Sequence, residues 1–311
     1  MPLDPHAKRL LDMLTMTNSA DAARVSANER RDVFRKLMSL SARDIAIGRV
    51  EDRAVPGPEG PICIRVYTPA ATGSDQLPGL VYFHGGGLVA GSLNTHDGVC
   101  RMLANETRCR VVSVDYRLAP EHKFPAAVED GYTATMWAIK HAAELAIFRD
   151  RIAVGGDSAG GTLAMIVCQL ARQAQEVELA AQLLLCPITD FCANTVSRRS
   201  FAEGYLLDKT MIDRDLEHYL PAGMGATDPR ISPLRASDFS GLPTAFVHTA
   251  EFDPLRDEGR AYADRLTDAG VGVKYTCHPG MIHLFYGMTG VIPYARSAMK
   301  RIGAEIRAAL E

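Results

Sequence analysis

Short apolar runs alternate with amphipathic segments along most of this chain. Strand-like runs are predicted at 80–83, 110–115, 151–155, 180–186, 244–249 and 271–277. Apolar residues at helical spacing are found between and after them, at 99–106, 125–146, 162–175, 256–269 and 294–310. Such alternation is typical of a mostly parallel sheet flanked by helices, so the pattern predicts an α/β fold. Two earlier runs, 45–55 and 61–67, predict a hairpin at one edge of that sheet.

Two stretches depart from this alternation. Residues 1–40 contain two amphipathic helices, and Ser26 with Glu29 forms the sequence pattern of a capping box before the second. The alternation breaks again at 187–242, where Asp208 is predicted to cap a further helix. Both stretches have apolar stripes that need a surface to cover, so they predict a helical cap over the top of the sheet.

Composition narrows the class of protein. The chain has 311 residues, 47% hydrophobic content and a net charge of −3, which suits one large globular domain. The absence of a basic run argues against nucleic acid, and no segment reaches the ~20 apolar residues of a membrane helix. Seven scattered cysteines without C-x-x-C, and no signal-peptide pattern, predict a reducing, cytoplasmic location. The sequence contains no H-E-x-x-H motif and no other cluster of metal-ligand residues, so we predict no metal site.

The sequence G-D-S-A-G at 156–160 lies between the strand predicted at 151–155 and the helix predicted at 162–175. This is the G-x-S-x-G elbow, a sharp turn that exposes the serine hydroxyl. Ser158 is therefore the candidate nucleophile. The N–H group of Ala159 lies at a helix N-terminus, where negative charge is favoured, and is a candidate oxyanion donor.

A second motif, H-G-G-G at 84–87, follows the strand at 80–83. Successive glycines allow backbone N–H groups to converge on one point, as a tetrahedral oxyanion requires. A phosphate cradle is disfavoured, because neither the P-loop nor the Rossmann spacing of glycines is present. We predict that Gly85 and Gly86 donate to the oxyanion and that His84 orients the loop without carrying a proton.

The two motifs together resemble the hormone-sensitive-lipase-like (bacterial family IV) esterases of the α/β-hydrolase fold. The same family pattern is found in Y-R-L-A-P-E-H at 116–122, in F-P-A-A at 124–127 with Asp130 beyond, and in D-P-L-R-D-E at 253–258. The resemblance covers roughly residues 45–311, and four motifs in the family's order make it specific.

The resemblance implies an α/β-hydrolase fold with a helical cap. The expected divisions are N-terminal cap helices at 1–45, a catalytic domain at 46–190 and 236–311, and a cap insertion at 191–235. It also implies pairing of two copies through the last strand of the sheet, so a homodimer is expected.

A serine needs a base and an orienting acid, and in this fold the order is serine, acid, histidine. The family motif places the acid at Asp253, and the base is expected at His283, after the last strand. Asp257 and Glu251 are rivals for the acid, although Asp257 is better placed at the start of the following helix. His278 is the rival for the base.

One position departs from the family pattern. Leu284 stands where the family usually has a glycine after the histidine, whereas the G-x-x-H spacing from Gly280 to His283 is kept. His218 and His248 are interpreted as structural histidines.

The expected function is hydrolysis of small, short-acyl carboxylic esters through an acyl-enzyme on Ser158. Water completes the reaction, so no cofactor is implied. Two alternatives stay open: amide or lactone hydrolysis by the same triad, and a non-catalytic receptor for a small molecule, since plant hormone receptors share this fold. An intact set of Ser158, Asp253 and His283 argues against the receptor.

Overall fold

The computed structural model describes residues 1–17, 25–42, 44–70, 76–175 and 177–311, without the side chains of Met16 and Thr17. The described residues contain eight strands: β1 (Arg49–Gly57), β2 (Gly60–Thr68), β3 (Leu77–Phe83), β4 (Arg110–Asp115), β5 (Ile147–Asp157), β6 (Ala181–Leu185), β7 (Thr244–Phe252) and β8 (Val273–Ile282).

The same part of the chain contains nine α-helices: α1 (Pro5–Thr17), α2 (Ala27–Met38), α3 (Asp97–Thr107), α4 (Ala126–Lys140), α5 (Ala159–Ala174), α6 (Val196–Ser200), α7 (Lys209–Tyr219), α8 (Arg256–Asp268) and α9 (Pro293–Leu310). No helix in the described ranges is long and apolar enough to cross a membrane.

All eight strands form one sheet in the order β1-β2-β4-β3-β5-β6-β7-β8. Strand β2 pairs antiparallel with β1 and β4, and every later pair is parallel. The prediction of an α/β-hydrolase fold with an edge hairpin is confirmed. Parallel strands end at the same edge of a sheet, so the loops after β3, β5, β7 and β8 lie close together.

Both faces of the sheet are covered, and strand β3 shows how. Val81 and Phe83 point into one buried apolar layer, whereas Leu80 and Tyr82 point into the other. Helices α4, α5 and α8 pack on the first face, and α3 and α9 pack on the second. This burial on two sides explains why the strands read as continuous apolar runs.

The helices outside the alternating pattern form as the sequence predicts. Ser26 and Glu29 make the capping box of α2, and the Asp208 carboxylate accepts the Met211 N–H at the start of α7. Residues 18–24 and 43 of the predicted N-terminal segment lie outside the described residues. Helix α6 was not predicted from the sequence.

Several predicted boundaries differ from the structure, and the two largest differences are at the ends of one helix and one strand. The helix expected to reach residue 146 ends at Lys140, and Ala146 adopts a left-handed φ of 49° that closes the turns after it. Strand β8 continues through Ile282, beyond its predicted end at Cys277, so His278 lies within the strand. Pro279 is tolerated because β8 is an edge strand and the β7 pairing shifts register there.

Candidate active site

Ser158 lies at the sharp turn between β5 and α5. Its backbone has φ 53° and ψ −120°, a conformation that costs a non-glycine residue about 1–3 kcal/mol. The Ser158 N–H donates to Leu185 O over 2.8 Å, which holds the turn in place. Gly160 allows the close approach of α5 to β3, because a Cβ there would overlap the Phe83 carbonyl oxygen.

Three predicted residues meet at the end of the sheet. His283 Nε2 lies 3.1 Å from Ser158 Oγ, and His283 Nδ1 lies 2.8 Å from Asp253 Oδ2. The other Asp253 oxygen accepts the Leu255 N–H over 2.8 Å. Asp253 is fully buried, while Ser158 and His283 are each 5% exposed. This arrangement allows the imidazole to take the hydroxyl proton while the carboxylate orients the ring.

The rival acids are engaged away from this chain of hydrogen bonds. Asp257 accepts the Ser197 N–H over 2.8 Å at the start of α8. Glu251 accepts the Gly280 N–H over 2.7 Å and pairs with the amino terminus. Neither carboxylate forms a hydrogen bond with His283. Of these three acids, the geometry therefore brings Asp253 alone to the imidazole.

The rival base is also engaged elsewhere. His278 Nε2 lies 3.2 Å from His248 Nδ1, and His278 Nδ1 lies 3.1 Å from the Tyr294 hydroxyl. Burial, with the neighbouring His248, lowers the pKa of His278 to about 3. His278 and His248 therefore contact each other between β7, β8 and α9, away from Ser158.

His84 is fully buried and contacts the backbone of the glycine loop. His84 Nδ1 lies 2.9 Å from Gly85 O, and its ring stacks on Tyr116. Burial lowers the pKa of His84 to about 3, so the ring is neutral. The orienting role of His84 stays a prediction, which these contacts motivate.

The predicted oxyanion donors differ in position. Gly86 lines the cavity above Ser158, and so does Gly87, which was not in the predicted set. Gly85 does not line the cavity, because its Cα faces Asp157, and a Cβ there would overlap the Asp157 carboxylate. Three identical glycines carry no signal in the sequence of which of them line the cavity.

Asp157, the second residue of the elbow, anchors the glycine loop from below. Its carboxylate accepts the Tyr82 hydroxyl over 2.7 Å and the Tyr286 hydroxyl over 3.3 Å, and His96 Nε2 lies 3.3 Å away. Burial opposes ionisation of this carboxyl, but His96 and the hydrogen bonds hold its pKa below the ordinary value. The elbow and the loop therefore share one buried polar support.

A buried thiol lies beside the carboxylate of Asp253. Cys186, Asp253 and His283 are the one group of three potential metal ligands in the described residues, with ligand atoms within 4.8 Å of one another. Burial and the Asp253 carboxylate raise the pKa of the Cys186 thiol well above its ordinary value. Asp253 and His283 already share a hydrogen bond, so these atoms are accounted for without an ion.

Leu284 occupies the family's glycine position in a glycine-like conformation. Its φ is 63° and its ψ is 11°, in the left-handed region, and its side chain is 3% exposed. The turn after His283 thus requires the unusual backbone, while the leucine side chain fills space that a glycine would leave open.

A cavity of about 670 Å³ opens over Ser158 and His283. Helix α1 contributes Leu11 and α2 contributes Phe34, while the insertion at 191–235 contributes Leu207 and Ile212. A largely apolar wall surrounds the polar groups of the catalytic edge, as in small-molecule sites generally. This cavity can admit a small, mainly apolar molecule.

A family profile described as the alpha/beta hydrolase fold matches residues 80–287. The chain therefore belongs to the α/β-hydrolase family. Within that family it belongs to the hormone-sensitive-lipase-like group, as the motifs implied.

Curated relatives include several esterases. The carboxylesterase NlhH of Mycobacterium tuberculosis is 41% identical over 315 residues, covering 99% of this chain and 96% of that protein. The carboxylic ester hydrolase LipN of the same organism is 46% identical over 77% of this chain, which spans 65% of LipN. An arylesterase of Saccharolobus solfataricus is 37% identical, with 92% and 93% of the two chains covered.

Solved structures show the same similarity in three dimensions. An α/β hydrolase enzyme from the metagenome of Lake Arreo superposes with a TM-score of 0.95 at 42% identity, over 98% of both chains. The hyperthermophilic esterase of Pyrobaculum calidifontis superposes with a TM-score of 0.94 at 40% identity, over 99% of both chains.

Proposed function

We propose that this chain hydrolyses small, short-acyl carboxylic esters, with Ser158 as nucleophile, His283 as base and Asp253 as the orienting acid. Its family and its relatives make it a carboxylic-ester hydrolase. The observation that supports these roles most directly is the continuous hydrogen-bonded path from Asp253 through His283 to Ser158, at the floor of an apolar cavity.

The proposed reaction uses two half-reactions. Ser158 Oγ attacks the ester carbonyl while its proton passes to His283 Nε2, and the tetrahedral intermediate expels the alcohol, which takes that proton. Water then loses a proton to His283 and attacks the acyl-enzyme, which releases the acid and restores Ser158. We assign the oxyanion donors to the N–H groups of Gly86, Gly87 and Ala159. Gly87 replaces Gly85 because Gly87 lines the cavity.

We further propose that the segments at 1–45 and 191–235 act as a cap that sets substrate size. The support is that side chains from both segments line the cavity over Ser158. A cap there excludes water from the reacting groups, which strengthens their electrostatic interactions. It also limits the length of the acyl chain and favours dissolved monomeric esters.

The proposed assembly and location rest on separate observations. A homodimer through β8 is supported by the position of β8 at the end of the sheet, because an open strand edge favours pairing with a second copy. A cytoplasmic location is supported by the cysteines: all seven are free, and four of them are buried.

Purified enzyme assayed with p-nitrophenyl acetate, butyrate, hexanoate and laurate, matched anilides and a lactone tests the ester assignment. We expect the enzyme to turn over the short esters and to turn over little of the laurate. Ser158→Ala should lose all of this turnover. A phosphonate should label the wild type stoichiometrically, and a Lake Arreo ester hydrolase has been solved with a phosphonate derivative bound. Faster anilide or lactone turnover would reassign the substrate class, and binding without turnover would favour a receptor.

A further inference from the structure

Two charged residues of opposite sign interrupt the apolar stripes of two helices. In α2, Arg30 lies one helical turn before Phe34, on the face that Phe34 and Leu37 share. In α7, Asp215 lies between Ile212 and Tyr219 on the buried face. A charge at an inward position is costly unless it is paired, so this pattern indicates a buried ion pair.

The two charges meet inside the protein. Arg30 Nη2 lies 3.1 Å from Asp215 Oδ2, and the side chains are only 14% and 5% exposed. The guanidinium also lies 5.3 Å from the ring centroid of Phe34. Because α2 belongs to the N-terminal segment and α7 to the insertion, this pair joins the two parts of the proposed cap.

The same carboxylate also reaches the glycine loop. A Cβ added at Gly87 would overlap Asp215 Oδ2, so the oxygen that Arg30 binds rests directly on the Gly87 backbone. Asp215, Arg30 and Gly87 all line the cavity that contains Ser158. A negative charge is thus placed beside the segment that, under the proposed function, stabilises a developing negative charge.

We propose that Asp215 positions the glycine loop against the cap and that Arg30 neutralises this carboxylate so that it does not oppose the oxyanion. This inference rests on the proposed ester hydrolysis. Without Arg30, Asp215 would be an uncompensated buried charge next to the donors, and its repulsion would be felt most in the transition state. Neither residue touches the reacting atoms, so both are positioning residues.

Four variants test the pair: Arg30→Met, Asp215→Asn, their combination, and Arg35→Met as a matched control. Arg35 is on the same helix, in an exposed pair with Asp32. For a short soluble ester we expect kcat of Arg30→Met to fall roughly tenfold or more. The double variant should recover most of that loss, and Asp215→Asn should lose less than Arg30→Met. Arg35→Met should stay within about twofold of wild type.

A pH series separates charge neutralisation from simple packing. The charged and titratable groups that face Asp215 are Arg30 on α2 and Arg214 and His218 on α7, and burial raises the pKa of Asp215. As pH is lowered, Asp215 in Arg30→Met takes up a proton, so the kcat of this variant should approach that of the double variant. Groups that titrate alike in both variants cancel in the ratio of kcat in Arg30→Met to kcat in the double variant.

Two results would overturn the proposed role of the pair. One is a wild-type kcat in Arg30→Met, and the other is a double variant as slow as Arg30→Met at every pH. Arg30→Gln carries the same expectation if Arg30→Met does not fold, and phosphonate titration normalises each rate to active protein. Failure of the ester function itself would appear differently, as no ester turnover by the wild type or as turnover that survives Ser158→Ala.

Discussion

His283 Nε2 lies 3.1 Å from Ser158 Oγ, although 125 residues separate the two along the chain. Ser158 follows β5 and His283 follows β8, and both strands run parallel to β7, which Asp253 follows. The sheet thus brings the three side chains to one edge, and each is held by a loop that begins where its strand ends.

Ser158→Ala and His283→Ala are each expected to reduce kcat/KM for a short ester by at least about 10³-fold. The double variant should be no slower than either single one, because the two residues act on the same proton transfer. Steady-state kinetics on protein freed of contaminating esterases would measure these losses in kcat/KM. His278→Ala is the matched control, and an inactive His278→Ala beside an active His283→Ala would reassign the base.

Substitutions at Leu284 should separate backbone strain from side-chain packing. Leu284→Ala and Leu284→Gly both lose a buried side chain, so each should lower the free energy of unfolding by about 2–4 kcal/mol. The glycine variant should be about 1 kcal/mol more stable than the alanine variant, because φ is 63°. Urea unfolding measures both.

Leu103, in the middle of α3, provides the control for this comparison. There the order should reverse, with alanine about 1 kcal/mol more stable than glycine, since a helix interior disfavours glycine. If the glycine and alanine variants had the same order of stability at Leu284 and at Leu103, the strain at Leu284 would be contradicted.

His278 should make the protein less stable in mild acid. Its pKa is about 3 when folded and near the ordinary value of 6.5 when unfolded, so the unfolded chain takes up the proton first as pH falls. The stability it contributes is present above about pH 6.5 and is lost towards pH 3.

We therefore expect His278→Asn to lower the free energy of unfolding more at neutral pH than at about pH 4.5. Urea unfolding of both proteins at the two pH values measures the difference, with the exposed His122→Asn as control. If the difference in free energy of unfolding between wild type and His278→Asn stayed constant or widened in acid, this account would be contradicted.

Removal of residues 1–40 tests the proposed cap. The truncated chain should lose activity on butyrate and hexanoate esters and should bind a hydrophobic dye, because Phe34 and Met38 cover apolar surface. Labelling of Ser158 by a phosphonate should survive, since Ser158, Asp253 and His283 are all retained. A well-folded truncation with unchanged activity and chain-length preference would show that these helices do not form a cap.

Much of the fold could be predicted because its signals are local. Alternation of apolar runs and amphipathic segments reports which face of each element is buried, and this fixed the α/β class. The elbow around Ser158 was also readable, since close packing of strand on helix permits only glycine at positions such as Gly160. The capping residues Ser26 and Asp208 act within one helical turn, so the sequence contains both partners.

The tertiary structure decided the contacts between distant parts of the chain. The end of β8 depends on its pairing with β7, and this placed His278 within the strand. Arg30 and Asp215 meet although 185 residues separate them, and Cys186 lies beside Asp253; neither contact has a local signal in the sequence. The pattern of apolar and polar residues along an element indicates which of its side chains are buried. The partner of a buried side chain depends on how elements pack, and the separation of two elements in sequence does not give their distance in space.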